Sequence, residues 1–233
     1  QPQVIFLSGV TDCYQPVERK LKLTRRCLEV LAEFRNPVFI VTKNHLVTRD
    51  IDLLSELARH RAVGILLSIT TLDAGLRKVI EPRTSPPVAR LAAIRELAAA
   101  GIPVGVNVAP IIPGLTDHEM PAILKAAAEA GATSAGYTVV RLPYAVAPMF
   151  EQWLETHFPD RKEKVLNRLR AMRGGKLYDA QWGKRFSGEG IFAEQIAQMF
   201  DVARRKAGIH NNDAELSTAA FRRPGGEQLP LFG

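Results

Sequence analysis

The sequence predicts an α/β protein built on a parallel sheet, followed by a helical extension and a polar tail. Two observations carry this. Short β-branched runs alternate with amphipathic stretches from residue 4 to about 140, and the runs are apolar throughout, as strands covered on both faces by crossover helices must be. Beyond Leu142 the alternation ends and the periodicity becomes helical. The chain thus divides into a (β/α) region over residues 1–142, a helical extension over 143–209 containing a loop at 178–190, and a disordered tail over 210–233.

The strands are expected at Val4 to Ser8, Val38 to Thr42, Val63 to Ile69, Val104 to Ala109 and Ala135 to Val140, with room for one crossover helix each. A first helix opens near Pro16 and sets Val17, Leu21, Thr24, Leu28 and Leu31 on one face. Another opens after Ser85 with Pro86 and stops at Gly101; a third opens at Thr116, with Glu119 completing a capping box, and stops at Gly131. In the extension, Phe150, Trp153 and Leu154 mark one helix and Val165, Leu166, Leu169 and Met172 the next. Ile196, Met199, Phe200 and Ala203 form the buried stripe of a last helix. From His210 onward the composition is too polar to order itself.

The 233 residues, 46% hydrophobic and 24% charged, are enough for one large barrel-like domain or two small ones. No apolar run approaches the roughly 20 residues of a membrane-spanning helix. Cys13 and Cys27 form neither a disulfide framework nor a metal-ligand spacing, so reduced thiols in the cytoplasm are expected. A net charge of +7 favours a polyanionic partner such as nucleic acid. Gln1 stands where a Met would begin a chain and strand-like residues start at Val4, which reads as a cut edge.

In parallel α/β folds ligands lie beyond the C-terminal ends of the strands. Polar residues collect at all of these ends: Ser8, Thr11 and Asp12; Thr42, Lys43 and Asn44; Ser68, Thr70 and Thr71; Asn107, ahead of Pro110; and Arg141. None of them proposes a reaction. There is no glycine-rich phosphate cradle, no GxSxG elbow and no His or carboxylate pair at ligand spacing, so a cofactor must bring the chemistry.

The segments TDCYQPVE at 11–18, VTKNH at 41–45, LLSIT at 66–70, EPRTS at 81–85, GIPVG at 101–105 with APIIPG at 109–114, and WGK at 182–184 resemble, in order, segments of the radical S-adenosylmethionine (SAM) superfamily, in its spore photoproduct lyase and DNA repair photolyase-like branch. The resemblance covers residues 4 to 205. It implies a partial parallel (β/α) barrel lacking its first strand, with one sheet edge open. It also implies S-adenosylmethionine and a 4Fe-4S cluster as cofactors, the cluster held by a CxxxCxxC motif that this sequence does not contain. That motif is expected upstream of Gln1, which leaves this chain by itself inactive and with no metal ligand of its own.

Carried over, the resemblance places Lys43 at the methionyl carboxylate and Ser68 at the ribose or amino-acid portion. Thr11 and Asp12 stand near the methionyl end, Thr70 beside them, and Asn107 with the backbone of Ala109 at the adenosyl part. It assigns Lys184, Arg185 and Phe186, with Arg141, to the substrate side, a cation meeting phosphate and a ring filling the place of an extruded base. Gly9 stands where the lyases carry a hydrogen-donating cysteine, and Cys13, a catalytic candidate, stands four positions later. Gln228, Leu229, Leu231 and Phe232, in QLPLF, resemble the peptide by which bacterial repair proteins bind the sliding clamp. Two alternatives stay open: a radical enzyme acting on a small molecule or a protein, and a non-catalytic nucleic-acid or clamp-binding module.

Overall fold

The computed structural model describes residues 1–178, 186–210 and 215–224. Five strands, β1 (Ile5–Leu7), β2 (Val38–Thr42), β3 (Val63–Ile69), β4 (Val104–Ile111) and β5 (Ser134–Val139), lie in sequence order and pair in parallel throughout. Between and after them run α1 (Glu18–Leu21), α2 (Leu23–Phe34), α3 (Ile51–Arg59), α4 (Ala74–Ile80), α5 (Pro87–Ala99), α6 (Met120–Glu129), α7 (Val146–His157), α8 (Pro159–Ala171) and α9 (Ile191–Lys206). This is the expected partial barrel, an open sheet with helices on its outside.

The alternation along each strand divides the sheet into two faces. Ile65, Leu67 and Ile69 of β3 and Val104, Val106 and Val108 of β4 are buried with Leu54 and Leu57 of α3, Ile94 and Leu97 of α5, and Ile123, Leu124 and Ala127 of α6. Each of these Val, Leu and Ile side chains contributes roughly 1.5–3 kcal/mol by leaving water. The opposite face carries Gly64, Leu66, Ser68 and Thr70 on β3 and beyond it, and Gly105 and Asn107 on β4. Gly105 is required there: a Cβ would lie 2.2 Å from Ser134 Oγ and 2.7 Å from the Ser134 carbonyl. β1 forms one edge, with Ile5 41% and Phe6 54% exposed; the Phe6 ring stacks on Phe39 of β2.

Three expectations need correction. The helix opened by Pro16 is two helices, because Lys22 adopts a left-handed conformation (φ 51°) that ends α1. The Glu18 carboxylate then accepts from the backbone N–H groups of Thr24 and Arg25 at the start of α2, supplying the first turn with acceptors. As a result Thr24, Leu28 and Leu31 face inward while Val17 and Leu21 are each 51% exposed. The Thr116–Glu119 capping box does not form, since Thr116 Oγ1 accepts from Ile112 N and Glu119 reaches Thr71 and Leu72 instead.

The third correction concerns the tail, which is ordered over residues 215–224. Ser217 N donates to the Arg61 carbonyl, Arg222 N to Phe34 and Arg222 Nε to Glu33, while Phe221 packs its ring near Phe34. Leu216 lies against Gly64 and Phe39 and closes the N-terminal end of the uncovered sheet face, beside a cavity of about 330 Å³.

Candidate cofactor and substrate site

Strand register brings the candidates into one row. β3 and β4 pair Ser68 with Asn107, β4 and β5 pair Asn107 with Gly136, and Lys43 follows the last β2–β3 pair, Thr42 with Leu67. Lys43, Ser68 and Asn107 thus share the uncovered face near the C-terminal ends of their strands. Ser68 is buried and Asn107 half-buried, with its Oδ1 close to the space left by Gly136.

The centre of this end is a buried ion network. Lys43 Nζ pairs with Glu81 Oε1 and lies 3.5 Å from Thr70 Oγ1. Thr70 Oγ1 is 2.8 Å from Glu81 Oε1 and 2.7 Å from the Ala109 carbonyl. From below, Arg90 of α5 donates to Glu81 Oε2 (2.7 Å), the Ser68 carbonyl (2.7 Å), the Ser85 carbonyl (2.8 Å) and Thr84 Oγ1 (2.5 Å). Burial alone would raise the Glu81 pKa, but Lys43 and Arg90 outweigh it and hold the carboxyl below its ordinary value. Burial pulls Lys43 downward against the opposing charge of Glu81.

The loop after β1 is fastened to the end of β2 by Asp12. Its Oδ1 accepts from Tyr14 N (2.9 Å) and Thr42 Oγ1 (2.8 Å), and Oδ2 from Lys43 N (2.8 Å). Asp12 therefore holds the backbone on which Lys43 stands. Thr11 accepts from Gln15 at an exposed position. Behind this loop Tyr14 donates to Asp50, which also pairs with Arg25 and Arg49. The Cys13 thiol is half-buried, and burial pushes its pKa up to about 11, so it stays protonated. A cleft of about 530 Å³, lined by Asp12, Tyr14, Lys43, Asn44, Arg83 and Thr84 among others, opens beside the network.

Beyond β5, the guanidinium of Arg141 lies 5.1 Å from the centre of the Phe186 ring, and the Phe186 carbonyl accepts from Val139 N at the end of that strand. Lys184 and Arg185 lie outside the described residues, as do Gln228, Leu229, Leu231 and Phe232. The cation beside Phe186 in the described structure is Arg141. Nearby in sequence, Tyr144 is 90% exposed in a left-handed conformation, and its ring centre is 6.2 Å from that of Tyr178.

Glu81 and Arg90 are site residues that sequence reasoning passed over. The signal for Arg90 was present: it occupies the apolar stripe of α5 with Ala93, Ile94 and Leu97, where a charge must find buried partners.

The residues present fit a ligand carrying a carboxylate. Lys43 has three N–H donors, Glu81 and Thr70 engage two, and the side chain is 26% exposed beside the cleft. They do not fit an iron-sulfur cluster: Cys13 is a protonated thiol, Cys27 is exposed on α2, and no group of three potential metal ligands occurs among the described residues.

Comparison with known proteins agrees with this fold. The Radical SAM superfamily matches residues 1–127. An uncharacterized protein of Mycobacterium tuberculosis is 33% identical over 160 residues, 68% of this chain and 47% of the relative. One of Methanocaldococcus jannaschii is 30% identical over 164 residues, 70% of this chain and 60% of the relative. The chain spans about half the length of the mycobacterial relatives it matches. Spore photoproduct lyase complexed with dinucleoside spore photoproduct superimposes with a TM-score of 0.57 at 18% identity, covering 91% of this chain and 59% of that one. A mutant of that lyase with bound AdoMet and the same dinucleoside gives the same TM-score, identity and coverage. At this identity the likeness is one of fold.

Proposed function

Because the chain belongs to the radical SAM superfamily, we propose that it binds S-adenosylmethionine at the C-terminal end of its sheet and works within an enzyme that acts on nucleic acid. The observation that carries this reading is the Lys43 ammonium, held on Glu81 at the lip of a cleft with one N–H left for a carboxylate. When bound, the cofactor supplies the family's radical chemistry. This chain's residues bind and orient it: Lys43 holds the amino-acid carboxylate, Ser68 and Asn107 line the row beneath, and the backbone of Ala109, tied to Thr70, borders the adenosyl part.

The nucleic-acid assignment draws support from the net charge of +7 and from the Arg141–Phe186 pair, a cation and a partly exposed aromatic ring of the types that meet phosphate and base. The similar lyase solved with a dinucleoside makes the same class of substrate the first to try. Cys13, a protonated thiol between Asp12 and Tyr14 of the cleft wall but itself packed toward the core, is the candidate hydrogen donor. Under this reading the QLPLF segment at 228–232 serves as the attachment to a bacterial sliding clamp.

Titration calorimetry with S-adenosylmethionine tests the cofactor site. Replacing Lys43 by Ala removes a charge-assisted contact, for which about 1.5–3 kcal/mol, or roughly 10- to 150-fold in affinity, is expected. Lys125→Ala, on the outer face of α6, leaves affinity unchanged. Equal binding by wild type and Lys43→Ala would remove the cofactor from this position.

A further inference from the structure

A second polar surface lies beside the site and takes no part in the network around Lys43. Between the loops that follow β3 and β4 and the basic helix α8 runs a groove formed by two adjoining hollows of about 780 and 440 Å³, with His118 and Arg161 lining both. Its walls include Gly114, His118, His157, Arg161, Lys164 and Arg168. Gly114 stands in a left-handed conformation (φ +88°) that favours glycine and lies in ordinary contact range of α8: a Cβ there would be 3.4 Å from Lys164 Cγ and 3.5 Å from Arg168 Cδ.

The groove as a whole sets three cations against three carboxylates, but they are unevenly placed: in the smaller hollow Arg161, Lys164 and Arg168 face one carboxylate, Asp117, while Asp73 and Glu119 line the larger one. Its three carboxylates are each engaged: Asp73 accepts from Gly75 N and Leu76 N as the cap of α4, Glu119 accepts from Thr71 Oγ1 and Leu72 N, and Asp117 pairs with Arg168 at 2.9 Å. Arg161 and Lys164 are exposed, three residues apart on one helix face, and neither has a carboxylate partner among the described residues. Asp160 and Glu163 stand one position before them, about 100° round the helix. Two uncompensated cations flanked by His118, His157 and the ring of Phe158 form a surface for a polyanion that also carries flat, partly apolar groups. The groove also reaches the site. Glu119 binds Thr71, the neighbour of Thr70 in the Lys43 network.

We infer that this groove seats the sugar-phosphate backbone of a nucleic-acid strand, with Arg161 and Lys164 meeting phosphate oxygens, and that it leads the strand to the cofactor end of the sheet. The inference rests on the nucleic-acid reading above and names the surface that would serve it.

Fluorescence anisotropy with labelled single-stranded and duplex DNA, repeated across a salt series, tests it with the full chain. For Arg161→Ala with Lys164→Ala, affinity at low salt should fall about tenfold or more, and the slope of log K against log salt should shrink by about 1.4 for single strands or 1.8 for duplex. Arg95→Ala with Lys125→Ala makes the same change in net charge on the outer faces of α5 and α6, and should leave the slope as in wild type. Thermal unfolding of both pairs checks that the fold is intact. If wild type binds DNA and the groove pair binds it with an unchanged slope, the inference fails while the nucleic-acid reading stands. If wild type shows no salt-dependent binding, both fall. Displacement of DNA by polyglutamate as effectively as by unlabelled DNA would overturn the assignment in favour of an acidic polypeptide.

Discussion

Arg90→Met replaces the largest fully buried side chain with one of similar reach and no donors, and so tests whether the Glu81 network holds the site together. Arg90 is 1% exposed and makes four hydrogen bonds, two of them to the carbonyls of Ser68 and Ser85. Two orphaned carbonyls cost about 1–3 kcal/mol each, partly offset by the apolar contacts methionine regains, and breaking a buried pair on one side costs about 3–5 kcal/mol. The two routes meet near 4 kcal/mol. For a chain of this size that lowers Tm by roughly 8–16 °C. Urea unfolding should show a lower midpoint with an unchanged slope, and Arg95→Met, exposed on the same helix, should change stability by less than about 0.5 kcal/mol. Arg90→Lys, which keeps a charge for Glu81 but loses the fork, should fall between. A loss below about 1 kcal/mol for Arg90→Met would refute the network as a structural keystone.

Acid should weaken the same network. The folded-state pKa of Glu81 lies below its ordinary 4.5, so its contribution is complete above that value and is lost as pH falls through the folded value; the loss of stability below pH 4.5 should be shallower in Glu81→Gln, as followed by urea midpoints. Gly105→Ala should cost about 1–3 kcal/mol or more, because the new methyl meets Ser134 Oγ and its carbonyl, and Ser134→Gly should restore part of it in thermal melts. A peptide of residues 224–233 should bind a bacterial sliding clamp with a Kd on the order of micromolar, and changing Leu231 and Phe232 to Ala should abolish binding; equal binding by both peptides would remove the clamp from the account.

The strands were legible because short, β-branched apolar runs stand out from the amphipathic stretches between them, and all five lie within a few residues of their expected positions. Lys43, Ser68 and Asn107 were likewise legible as polar residues at strand ends. What local reading missed depends on contacts distant in sequence. Lys22 breaks a helix whose apolar spacing is continuous, because Glu18 turns back to receive the next helix. Glu119 has the spacing of a capping box but finds stronger partners at Thr71 and Leu72, on a loop nearly fifty residues earlier (|i−j| 48 and 47). Glu81 sits in a turn-like segment, and only the fold reveals that Lys43 and Arg90 converge on it. The segment 215–224 is too polar to order itself; Leu216 and Phe221 gain a site only once other parts of the chain have built one.

That dependence has a kinetic meaning. Arg222 meets Glu33 across a sequence separation of 189, and Ser217 needs the end of α3 already in place. Contacts this distant close large loops, and their docking surface exists only after β2, β3 and their helices have packed. Residues 215–224 should therefore join after the rate-limiting barrier and have φ-values near zero. Disrupting their contacts, as by Leu216→Ala, should leave the refolding rate almost unchanged and show up as faster unfolding, so the segment acts on how long the folded protein persists.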